Sequence, residues 1–103
     1  MDRMEKLKEF LKQDPADSFV QHALALEYMK AGDEETARKL FEELLNKEPG
    51  YVGSYYHLAR LYERKGDKAS AIKWYEQGMR EAKKAELFRF YNEMKSAYEE
   101  LVF

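Results

Sequence analysis

The chain has no cysteine, which removes disulfides, thiolate metal sites and cysteine nucleophiles together. It has only two prolines, Pro15 and Pro49, a scarcity that suits long helices. No apolar run is long enough to span a bilayer, and the mean hydropathy is −0.81. Asp2, Arg3, Glu5 and Lys6 follow Met1 where a signal sequence would place an apolar core, so residence is expected to be cytoplasmic. Nor is there an excess of positive charge. Eighteen basic residues against twenty acidic ones leave −2, whereas nucleic-acid binders draw most of their affinity from a basic surplus. The expectation is a partner that is neither nucleic acid nor membrane.

What the chain does have is a period. Ala25, Tyr28, Gly32, Asp33, Ala37 and Phe41 recur 34 residues later as Ala59, Tyr62, Gly66, Asp67, Ala71 and Tyr75, and Pro15 recurs as Pro49. The length suits one domain, and 37% charged against 45% hydrophobic residues describes strongly amphipathic segments. Between Asp17 and Ala31, apolar residues fall three and four apart, which predicts a helix. Gly32 is placed to end it in a left-handed cap, and Asp33 to accept from the first free amides of the next helix. That helix runs to about Lys47 before Pro49, with Ala37, Leu40, Phe41, Leu44 and Leu45 inward. The cycle repeats with Val52–Lys65 and a helix from Asp67. Lys83 stands where a third proline would fall, so the next boundary is soft, at Lys84 or beyond.

The ends differ. Residues 1–15 are in phase with a second helix, since Leu7, Phe10 and Leu11 map onto Phe41, Leu44 and Leu45. Residues 86–103 break the pattern: Asn92, Glu93 and Ser96 replace the equivalents of Leu58, Ala59 and Tyr62. Leu87, Phe90, Tyr91, Met94, Ala97, Tyr98 and Leu101 still form one apolar stripe, as in a terminal capping helix with one face buried.

These residues carry a resemblance. The chain resembles the tetratricopeptide repeat family, whose pattern is a large residue, Leu-Gly/Ala-x-x-Tyr, a turn Gly, Ala-x-x-x-Phe, a small residue and Pro. Residues 18–51 supply Leu24-Ala25, Tyr28, Gly32, Ala37, Phe41 and Pro49, with Gln21 in the usual Trp position and Leu44 in a small one. Residues 52–85 supply Tyr55, Leu58-Ala59, Tyr62, Gly66, Ala71, Tyr75 and Gly78 but no proline. The resemblance implies an all-α fold of about six helices, stacked as antiparallel pairs in a right-handed superhelix (an α-solenoid). Residues 1–103 then form one domain: a half-repeat at 1–15, repeats at 18–51 and 52–85, and a cap at 86–103.

It also implies a concave wall made by the first helix of each repeat, which in this family holds a peptide from a partner. Carried over, the wall is Phe19, His22, Ala23, Leu26, Met29 and Lys30, then Gly53, Tyr56, His57, Arg60, Glu63 and Arg64. None of these is expected to serve the repeat's own packing. Tyr56, Leu26 and Met29 offer apolar contact, while Lys30, Arg60 and Arg64 suit a partner of acidic or carboxylate character. The two arginines also fit ordinary solvated helix positions. Family members that clamp the carboxylate terminus of heat-shock chaperones use a Lys/Asn/Arg set. Here His22, Leu26 and His57 stand in those places.

Chemistry of other kinds finds no support. His22 and His57 are two imidazoles where zinc needs three or four ligands, and no nucleotide or metalloprotease motif occurs. No serine has a histidine at an activating distance along the chain. The expectation is a non-catalytic protein-interaction adaptor, without metal or cofactor, that exists as a monomer or weak homodimer. The alternative is a structural, self-associating module that uses the aromatic last helix and the open repeat ends. Arg80, Lys83, Lys84 and Arg89 form a local basic cluster near Trp74 and Phe88, read as a solvated junction or an anionic contact.

Overall fold

The computed structural model describes residues 2–103, and all its regular structure is helical. Contacts divide the chain into two compact units that meet between Glu48 and Pro49. The first holds α1 (Arg3–Gln13), α2 (Ser18–Lys30) and α3 (Glu34–Lys47). The second holds a 3₁₀ turn (Val52–Ser54), α4 (Tyr55–Lys65), α5 (Lys68–Lys84) and α6 (Phe88–Val102). Among the described residues, no helix is long and apolar enough to cross a membrane.

Helix starts follow the aspartates. Asp2, Asp17, Asp33 and Asp67 accept from the amides of Glu5, Val20, Thr36 and Ser70 at 2.8, 3.1, 3.1 and 3.1 Å. The Ser70 hydroxyl also donates to Asp67 at 2.8 Å, and these bonds hold the Asp67 carboxyl below its ordinary range. Helix ends follow the glycines. Gly32 and Gly66 have φ of 85° and 88°, and the next amide reaches back to Tyr28 and Tyr62 carbonyls at 2.9 Å in each case.

In the first unit, Leu7, Val20, Ala23 and Leu24 form a core that Met4, Leu11, Tyr28 and Leu40 flank. Gln21, in the position of the family's Trp, is buried but satisfied: Lys47 donates to its side chain at 2.8 Å and to the Ala16 carbonyl at 3.2 Å. The end of α3 is thereby tied to the start of α2. In the second unit, Ala59 and Ala71 are fully buried and leave room for the buried rings of Tyr55 and Tyr75. Gly78 does the same two turns further along the same face of α5, where Tyr55 and Met94 close over it.

Three details differ from expectation. The helix expected from Val52 opens as a 3₁₀ turn, because no side chain caps it and Gly53 weakens its first turn. The last helix begins at Phe88, because Glu86 takes a left-handed φ of 58°. Leu87 N–H then bonds the Ala82 carbonyl at 2.8 Å, so this turn copies those at Gly32 and Gly66 without a glycine. Of the expected stripe on α6, only Met94 is buried; Leu87 and Phe90 are exposed.

The Glu86 conformation gives a first prediction. A left-handed non-glycine residue costs about 1–2 kcal/mol. Glycine would relieve that strain but would free the unfolded chain by about 0.4–1 kcal/mol. Glu86→Gly is therefore expected to raise stability by up to about 1.5 kcal/mol in urea denaturation, the left-handed term being the larger. An unchanged or lowered midpoint would show that the turn is unstrained.

Candidate protein-binding surfaces

Each unit presents part of the expected wall. In the first, α2 leaves Phe19 exposed (67%) and His22, Leu26 and Met29 half-buried. His22 sets its ring edge-on to Phe41, centroids 5.6 Å apart, so it contributes to packing between α2 and α3. Ala23 is not part of any wall. It is 6% exposed and belongs to the core, because a methyl there lets α2 approach its neighbour closely. Lys30 Nζ lies 3.2 Å from Glu27, a carboxylate that Arg3 also approaches at 3.6 Å.

In the second unit, α4 carries Tyr56, His57, Arg60 and Arg64. Tyr56 packs against His57 (6.0 Å) and Tyr75 (6.3 Å) by its ring, and Arg64 is exposed. Arg60 Nη1 lies 3.4 Å from Glu63, and the Tyr75 hydroxyl donates to the same carboxylate at 2.5 Å. Glu63 is thus an internal tie between α4 and α5. Burial and the Glu63 carboxylate together hold the Tyr75 phenol well above its ordinary range. Burial likewise lowers the His57 imidazole, against the pull of the Glu93 charge, so His57 favours its neutral form. Lys30 and Arg60, both expected to grip a carboxylate, already have glutamate neighbours one turn away.

Tyr56 and Arg60 also line a concavity of about 400 Å³ between α4 and α6. Its other walls are Glu93, Ser96, Ala97 and Glu100 of α6. The sequence reading did not place these four in a site. The signal was present, because Glu93 and Ser96 are where α6 departs from the repeat pattern. Small residues at Ser96 and Ala97 keep the floor open, and two carboxylates share the lining with one guanidinium. Tyr56 supplies an aromatic surface beside them. Such a mixture can hold a side chain by apolar contact and orient it by charge. Among the described residues no group of three or more His, Asp or Glu side chains is placed to hold a metal ion.

The family profile described as tetratricopeptide repeat matches residues 28–92. A tetratricopeptide repeat domain protein from Salinibacter ruber, solved in solution, is 39% identical, with 86% of this chain and 90% of that one covered and a TM-score of 0.82. The TPR2B domain of yeast Sti1, in its complex with pHsp70, is 17% identical over 95% of this chain and 78% of that one, with a TM-score of 0.87. The type III secretion translocator chaperone SycD of Yersinia enterocolitica is 16% identical over 95% and 68%, with a TM-score of 0.86. The last two share the fold. No curated protein matches the chain.

Proposed function

This chain belongs to the tetratricopeptide repeat family, and on that footing we propose that it is a non-catalytic adaptor holding a short segment of a partner protein. A protein-interaction role follows from the family's fold. The finer reading rests on one observation, the α4/α6 concavity that contains Tyr56 and Arg60, two residues of the wall the resemblance implies. The Sti1 domain, solved in complex with pHsp70, supports a protein partner as the kind of ligand. Here Tyr56 is the anchor, since aromatic side chains dominate binding energy at interfaces. Arg60 against Glu93 and Glu100 sets which charged side chains are accepted. On α2, the exposed Phe19 with Leu26, Met29, His22 and Lys30 offers a further stretch of contact, and His57 and Arg64 flank the α4 residues.

A peptide array probed with the intact chain tests this reading. Tyr56→Ala is expected to lower the signal at least tenfold across the retained sequences, since losing an aromatic anchor costs about 2 kcal/mol or more. Arg60→Glu adds a carboxylate beside Glu93 and Glu100, so retained sequences should shift towards lysine and arginine. An array identical for all three proteins would sink the assignment. If the alternative of self-association held, the chain would instead sediment as a dimer at high concentration and neither substitution would matter.

A further inference from the structure

The basic cluster noted in the sequence is not absorbed by the α4/α6 site. In the structure, two of its members line a different concavity, of about 410 Å³, between α5 and α6. Arg80 and Lys83 stand on its α5 side with Met79 and Glu76, and Tyr91 and Tyr98 form its α6 side. The volume falls in the lower part of the range of ligand pockets, about 300–1,000 Å³. The concavities on the two sides of α6 therefore differ in charge. Glu93 and Glu100 look towards α4, while the α5 side presents two cations.

Those cations have no ion-pair partner among the described residues, unlike Lys30 and Arg60. Glu76 stands one turn before Arg80, the spacing that favours an ion pair along a helix. Its carboxylate instead accepts from the Tyr98 hydroxyl at 3.0 Å. That bond fixes the Tyr98 ring as a wall of the concavity. Two cations against one carboxylate leave the lining net positive. Basic residues in a last helical turn are ordinary, since they suit the helix dipole. The two tyrosines and Met79 beneath them are not explained by that role, because they leave half-buried apolar surface beside unneutralised charge.

We propose that the α5/α6 concavity is a second docking site, separate from the α4/α6 one, for an acidic segment of a partner protein that also carries an apolar side chain. The apolar group lies on Met79, Tyr91 and Tyr98, and flanking carboxylates meet Arg80 and Lys83. The acidic partner expected at Arg60 and Arg64 finds its charge match here. A nucleic acid fits less well: two cations beside a carboxylate on a chain of net charge −2 provide little phosphate neutralisation.

The experiment is a titration of the intact, isotopically labelled chain followed by NMR. The probes are an eight-residue peptide alternating glutamate with leucine, the same peptide with lysine for glutamate, and oligouridylate. The glutamate peptide is expected to shift the amides of Met79, Arg80, Lys83, Tyr91 and Tyr98. Its Kd should rise at least tenfold in Arg80→Glu/Lys83→Glu and severalfold in the milder Arg80→Gln/Lys83→Gln. Tyr56→Ala should leave these shifts unchanged, which separates this site from the adaptor reading. The proposal is overturned by no shift at millimolar peptide, by shifts at Tyr56, Arg60 and Ala97 instead, or by equal binding of the lysine peptide or oligouridylate. It is also overturned if both double variants bind as the parent does.

Discussion

Gly78→Ala is expected to destabilise the chain, against the usual trend for a glycine inside a helix. Elsewhere in a helix that change gains about 1 kcal/mol of propensity. At this position an added Cβ would lie 2.5 Å from Met94 Sδ, 2.6 Å from Tyr55 Cβ and 2.8 Å from Tyr55 Cγ. The Met94 sulfur sits near the end of a flexible side chain and can swing aside. Tyr55 Cβ cannot, because it is bonded directly to the α4 backbone. The methyl must therefore push α4 from α5, and overpacking of this kind costs about 1–3 kcal/mol, more than the propensity returns. Gly78→Val adds two more methyl groups and forfeits most of the propensity gain, so about 3 kcal/mol or more should be lost. Trp74, buried on the same helix, reports unfolding in urea by its fluorescence. A higher midpoint for the alanine variant would refute the account of the contact.

Removing residues 86–103 should have the largest effect of all. Met94 is 1% exposed and by itself accounts for about 1.5–3 kcal/mol of burial. Tyr91, Ala97, Tyr98 and Leu101 are each partly buried and together add a similar amount, with the Tyr98–Glu76 hydrogen bond besides. Domains of this size are stable by about 5–15 kcal/mol in total, so a loss of about 4–6 removes from about a third to all of it. A chain ending at Ala85 is expected to melt early and broadly by circular dichroism. An undiminished, sharp transition would mean that α6 contributes almost nothing to stability.

Much of this was legible in the sequence because the informative residues act locally. Gly32 and Gly66 are read as left-handed caps from their place after a helical pattern, and the structure gives them that φ. Asp33 and Asp67 are read as caps from the free amides that follow, and they accept those bonds. The alanines that recur with the period are buried for the reason the period exists, close helix approach. What escaped the reading depends on neighbours far along the chain or on an atypical residue. Glu86 occupies a glycine's conformation, and no residue type announces that. Glu93 and Glu100 join Tyr56 and Arg60 only because α6 lies beside α4, across an interval in which the repeat pattern fails. Glu63, read as part of a wall, is drawn inward by the Tyr75 hydroxyl, a bond between residues on two helices. Exposed Leu87 and Phe90 show that a stripe of apolar residues states what a helix is able to bury, not how much of it is covered.

The order of packing has a kinetic meaning. Within each unit the extensively packed pairs are consecutive helices: α1 with α2, α2 with α3, α4 with α5, and α5 with α6. Such contacts close short loops, whose entropic cost is modest and grows only slowly with length. Chains dominated by local contacts reach the native state in microseconds to milliseconds, far ahead of sheets that must bring distant strands together. The turns at Gly32, Gly66 and Glu86 are then the places where a search in time is shortened. The buried alanines and tyrosines act afterwards, in deciding how long the result lasts.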